Sequence, residues 1–178
     1  KSFFSSLGLI IFIIFSVLSL VGFPGKEVPV SYEPAGTDIV FAVDISGSMR
    51  ARDASSGPES LSRLDSASRI IRSVCENTPE GRFGVVVFKG DAIRIIPATE
   101  DVETIYSFLE YLSTDLMTSP GSNIEAGIET ALAAFPKAEE RKKYIILITD
   151  GEALNGDTDA ILSAVIEQDV SIYSVGTG

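Results

Sequence analysis

The feature that most limits what this chain can fold into is a set of short runs that are apolar at consecutive positions. Asp38–Asp44 (DIVFAVD), Arg82–Lys89 (RFGVVVFK) and Lys143–Thr149 (KYIILIT) are rich in branched and aromatic residues and carry no polar face; Val170–Val175 (VSIYSV) reads as a closing strand. A strand with one wet face alternates, whereas a strand apolar at successive positions is covered on both sides. The stretches between these runs change period. Leu61–Asn77 puts Leu61, Leu64, Ala67, Ile70, Ile71, Val74 and Cys75 on one stripe, and Asp101–Leu112 does the same with Val102, Ile105, Phe108, Leu109 and Leu112. Ser122–Phe135, closed by Pro136, and Asp157–Gln168 read as two further helices. Buried strands alternating with helices predict an α/β fold, a doubly wound and mostly parallel sheet with helices on both faces. Lys89-Gly90-Asp91 makes a turn into Ala92–Pro97 (AIRIIP), so one edge strand should be antiparallel.

Ahead of this domain lies an uncharged segment, Phe3 to Gly22. About 20 apolar residues of helix cross a bilayer core of about 30 Å, so residues 3–22 are expected to form one transmembrane helix. Its length and the lack of a small-x-small site after it argue against a cleaved signal peptide. Residues 23–37 hold three prolines and two glycines and read as a short stiff linker. The domain proper is expected over 38–178, truncated at its C-terminal end. With Lys1 on one side of the apolar segment and Lys26 and Glu27 on the other, the expected placement is in the inner membrane, with the domain on the outer, periplasmic side.

Composition removes several function classes. The formal charge is −11 and no basic face is visible, which speaks against nucleic acid as a partner. The densest basic stretch, Arg141-Lys142-Lys143, follows Glu139-Glu140 and reads as a solvated connection. The chain has no histidine, which excludes Ser-His and Cys-His catalysis and zinc sites built on His. Its one cysteine, Cys75, can form no intrachain disulfide and belongs to the apolar stripe of its helix. No G-x-x-x-x-G-K-[ST] and no G-x-G-x-x-G follows any strand.

In open parallel sheets, sites form at the carboxyl ends of the strands. The first strand runs directly into Asp44-Ile45-Ser46-Gly47-Ser48, a turn that can aim one carboxylate and two hydroxyls at a common point. The strand at 143–149 ends in Asp150-Gly151, and Ser122 stands at the start of a predicted helix. All are hard oxygen donors of the type Mg²⁺ and Ca²⁺ prefer. Each also has an ordinary explanation. Ser122 with Glu125 fits a helix capping box, Ser46 and Ser48 can satisfy backbone groups of a turn, and Asp-Gly is a common turn pair. Their joint fall on one sheet edge favours a cation site. Glu103, Glu110, Glu129 and Glu167 fall on helices and are expected to be solvated.

At these residues the chain resembles the von Willebrand factor type A (VWA) family, whose fold is Rossmann-like. Asp44, Ser46 and Ser48 match its DxSxS signature, Ser122 stands at its threonine position, and Asp150-Gly151 match the aspartate after the fourth strand. Residues 38–178 look most like the membrane-bound aerotolerance-type (Bat) VWA proteins, on DIVFAVDISGSM, Arg63-Leu64, RFGVVVFKGDA, Pro97–Asp101 and VSIYSVGTG. Bat proteins typically carry a second transmembrane helix after the domain, which here would lie beyond Gly178. The resemblance implies a metal-ion-dependent adhesion site (MIDAS) binding Mg²⁺ (or Ca²⁺ or Mn²⁺). Ser46, Ser48 and Ser122 would ligate directly, and Asp44 and Asp150 through bound waters. It implies a non-enzymatic module that grips an acidic residue of a protein partner, itself a membrane or periplasmic protein. Serine in place of the family threonine keeps the hydroxyl and loses the methyl that stiffens χ1. Two alternatives stand beside this reading: a Mg²⁺-dependent phosphoryl-transfer hydrolase with Asp44 as nucleophile, and a metal-free scaffold in a membrane complex.

Overall fold

The computed structural model describes residues 36–53, 61–136, 141–151 and 158–177. Among the described residues the sheet has five strands in the order β3-β2-β1-β4-β5. They are β1 (Thr37–Asp44), β2 (Gly81–Phe88), β3 (Ala92–Thr99), β4 (Lys142–Thr149) and β5 (Val170–Gly176). β1 pairs in parallel with β2 and β4, and β4 with β5; only the β2–β3 hairpin is antiparallel. The helices are α1 (Arg63–Asn77), α2 (Val102–Leu109), α3 (Ile124–Leu132) and α4 (Thr158–Glu167), with a 3-10 turn at Gly47–Arg50. This is the expected doubly wound α/β arrangement with its single antiparallel edge.

Alternation along β1 shows why both of its faces must be apolar. Ile39, Phe41 and Val43 pack with Leu64, Ala67, Ile71 and Cys75 of α1 and Ile105 and Leu109 of α2. Val40 and Ala42 point the other way, to Ile124, Ala131 and Leu132 of α3 and Ile161 and Val165 of α4. Removing a side chain such as Phe41 from water on folding stabilises by about 1.5–3 kcal/mol. Gly127 lets α3 approach β2 closely, since a Cβ there would press into the Phe88 ring.

Several expected boundaries shift inward. α1 starts at Arg63 rather than Leu61, because Ser62 caps it: the Asp65 amide donates to Ser62 Oγ (3.0 Å) and the Ser62 amide to Asp65 Oδ2 (3.1 Å). Arg141 is not a solvated connection. Asp38 is fully buried at the amino end of β1 and accepts two bonds from Arg82 and one from Arg141, each 2.8 Å. Arg141 also donates to the Thr37 and Glu80 carbonyls, stitching three strands together at that end. Glu103, Glu110, Glu129 and Glu167 are exposed and Cys75 is buried, as expected.

Among the described residues no helix is long and apolar enough to cross a membrane. The expected transmembrane helix at 3–22 and almost all of the 23–37 linker lie outside the described residues.

Candidate metal centre

The strand order turns about β1: the connection after β1 leads to β2 on one side, and the chain returns to β4 on the other. A sheet that reverses direction in this way leaves a crevice at the carboxyl ends of the two strands flanking the reversal. Pairing of Val43 with Ile148 puts Asp44 and Thr149 on the next rung, at the lip of that crevice.

Asp44 is the hub. It is fully buried, and its Oδ1 accepts from the Ser46 amide at 2.8 Å, a turn closed by its own side chain. Its Oδ2 accepts from Ser122 Oγ and from Thr149 Oγ1, each at 2.9 Å. The Ser46 and Ser48 hydroxyls lie 3.0 Å apart as the chain enters the 3-10 turn. Four of the five expected site residues, Asp44, Ser46, Ser48 and Ser122, are thus joined by a short run of hydrogen bonds.

Ser122 reaches this position because α3 is capped by another residue. Asn123 is the N-cap, its side chain accepting from the Ala126 amide at 3.0 Å. The capping box of Ser122 and Glu125 does not form, and Glu125 Oε1 is buried without a hydrogen-bond partner. The loop ahead of Ser122 is tied down from two sides. Lys89 Nζ donates to the Thr114 and Met117 carbonyls (3.2 and 3.3 Å), and Arg50 binds Thr114 and Asp115. Gly90 meets the Pro120 carbonyl so closely that any Cβ would overlap it, and the Asn123 amide donates to the Lys89 carbonyl at 2.6 Å. Gly121, at φ 92°, then turns the chain into Ser122.

Asp150, the fifth expected residue, follows Thr149 directly and is held from α1. Arg63 Nη1 donates to its Oδ2 at 2.8 Å, and the Asp150 side chain is only 2% exposed. The same guanidinium binds Asp53 through two further bonds of 2.9 and 2.8 Å. The hydrogen bond from Arg63 holds the Asp53 carboxyl below its ordinary range, against a smaller opposing effect of desolvation. Gly151 adopts φ 82°, and its amide donates to Thr149 Oγ1 at 3.2 Å.

Thr149, Arg63 and Lys89 are the contributors that sequence reasoning passed over as site residues. Thr149 reads as ordinary β-branched filler at a strand end, and Lys89 as a turn flank. Arg63 stands out in sequence only as part of a resemblance.

The donor set suits a hard cation. Among the described residues no three His, Cys, Asp or Glu side chains gather as a metal-holding group; the donors brought together here are the hydroxyls beside Asp44. Ser122 commits its proton to Asp44, which leaves its oxygen lone pairs available. Asp44 is a fully buried carboxylate held by two hydroxyls and a backbone amide, and buried charge of that kind favours a nearby cation.

A switch-point crevice floored by a buried aspartate and rimmed by hydroxyls, on a mostly parallel sheet with one antiparallel edge, defines a VWA-type domain, a fold of protein interaction and adhesion. Residues 39–152 match the family model of the von Willebrand factor type A domain, and the chain belongs to that family. Within it, the chain is 33% identical to BatB from Bacteroides thetaiotaomicron, with a TM-score of 0.72 over 79% of this chain and 66% of that one. It is equally 33% identical to an aerotolerance-related membrane protein from Bacteroides fragilis, whose crystallised form carries multiple mutations to serines (TM-score 0.71, 79% and 67% covered). An uncharacterized protein of Borreliella burgdorferi is 31% identical over 91% of this chain and 47% of its own length. The chain spans about half or less of the curated relatives it matches.

Proposed function

We propose that this domain is a non-catalytic binding module that holds one divalent cation, Mg²⁺ by preference, at its Asp44 corner and uses it to grip an acidic residue of a protein partner. The observation that carries this reading is the sharing of Asp44 Oδ2 by Ser122 and Thr149, beside the facing Ser46 and Ser48 hydroxyls. Ser46, Ser48 and Ser122 would hold the ion directly, with Asp44 and Asp150 acting through water. The ion would supply a positive point that hydroxyls neutralise little, and so an attraction for a carboxylate. Salt screens the overall charge of −11 beyond about 8 Å, so that charge does not prevent a contact with an acidic partner.

A nucleophilic role for Asp44 is poorly supported. Both of its oxygens already accept hydrogen bonds, three in all, and the residue is fully buried, whereas a nucleophile needs an open oxygen and an activating base. The apolar run at 3–22 is proposed to tether the domain to the inner membrane, with the domain on the periplasmic side. The test is capture of partner proteins by the intact membrane form in magnesium and in chelator, with Ser46→Ala/Ser48→Ala as control. Equal capture in all arms rejects the cation-dependent grip in favour of a metal-free scaffold.

A further inference from the structure

We propose that Arg63 is a positioning residue of the candidate metal centre, a group that helps to fix Asp150 at its rim; this rests on the metal-binding reading above. Asp44 is held by donors from three places: the Ser46 amide of its own turn, Thr149 on β4, and Ser122 ahead of α3. Asp150 lies past the end of β4, where the ladder no longer fixes the backbone, and the next residue, Gly151, has φ 82°. Its charge is nevertheless almost wholly withdrawn from water, at 2% exposure. A carboxylate so placed needs a cation or several donors to stay there.

Arg63 is built for that task. It is the first residue of α1, whose start is fixed by the reciprocal Ser62–Asp65 cap. Its backbone amide donates to the Ala51 carbonyl at 2.9 Å, which ties the helix to the segment leaving the Ser46–Ser48 turn. Its guanidinium spans two carboxylates, Asp53 with two bonds and Asp150 with one. The Asp53 fork restrains the guanidinium, and the restrained guanidinium restrains Asp150. Lysine keeps the charge but has no planar fork with which to hold two carboxylates at once. Groups that orient a metal's ligands in this way are worth about 10- to 100-fold in metal affinity.

The test uses the full chain, its Arg63→Gln and Arg63→Lys variants, and Mn²⁺ as the probe. Free Mn²⁺ is followed by electron paramagnetic resonance, and circular dichroism checks the fold. Arg63→Gln is expected to raise the Mn²⁺ Kd about tenfold and Arg63→Lys by less. In metal-free protein, exchange of the Gly151 amide should be faster in Arg63→Gln than in wild type. A Kd that is unchanged in Arg63→Gln overturns the assignment. A lower Kd does so too, since it would make Arg63 a competitor for Asp150 rather than its support. Wild-type protein that binds no Mn²⁺ sinks the metal reading instead. In that event the Gly151 exchange rate alone decides whether Arg63 fixes the Asp150 corner, and equal rates reject it.

Discussion

Ser122 and Asp44 stand 78 residues apart in the chain, and Ser122 Oγ donates to Asp44 Oδ2 at 2.9 Å. That bond closes the candidate site across the sheet edge, and it makes the side chain at position 122 a sensitive probe. Ser122→Ala should weaken Mn²⁺ binding, because it deletes a proposed ligand and a donor to Asp44. Ser122→Thr should tighten it, because the added methyl restricts χ1 while the hydroxyl is kept. Titration of both variants against wild type checks the pair. A threonine variant that binds more weakly than serine would show that the hydroxyl's orientation is already optimal.

Gly90→Ala should disturb the site from outside. A Cβ at this position overlaps the Pro120 backbone carbonyl, so the loop leading to Ser122 has to move. A loss of about 1–3 kcal/mol in stability is expected from such overpacking. Mn²⁺ affinity should fall with it. Urea denaturation and metal titration of the same preparation measure the two effects.

Asp38→Ala should separate stability from function. It removes the carboxylate that Arg82 and Arg141 share, their side chains being 14% and 20% exposed. Removing one partner of a buried ion pair costs about 3–5 kcal/mol. Since Asp38 lies at the amino end of β1 and Asp44 at its carboxyl end, metal affinity in the folded variant should be unchanged.

Cys75 gives a pH prediction. Burial pushes its thiol up to about 12 from 9.0, outweighing the opposing pull of Arg72. The folded state therefore holds this proton more tightly than the unfolded state does. The resulting stabilisation is complete below about pH 9 and is lost as the pH rises toward 12. At pH 8 a thiol-specific reagent should label the urea-unfolded chain quickly and the native chain slowly. Equal labelling rates would contradict the burial.

The order of elements was readable because period and burial agree: β1 is apolar on both faces, and helices cover both faces. The helix starts were less readable because neighbouring residues compete as caps. Ser122 and Asn123 are both good N-caps, and the choice was made by a bond from Ser122 to a residue 78 positions away. No local pattern carries that information. The same holds for Arg141 against Asp38, separated by 103 positions, and for Arg63 against Asp150, separated by 87. Charged residues near a helix or strand start look solvated in sequence, and only the tertiary fold brings their partners to them. Ser46 and Ser48 were legible because they fall directly after the end of β1, where parallel sheets gather chemistry.

β1 is the central strand, with in-register parallel partners on both sides from residue 37 onward. A pull applied between residue 37 and a ligand gripped beside Ser46 therefore runs along the strand. It loads both flanking ladders in shear, so that their hydrogen bonds resist together instead of opening one after another. The strand that supplies Asp44 is also the one best placed to act as a tensile member if this domain anchors its partner against mechanical force.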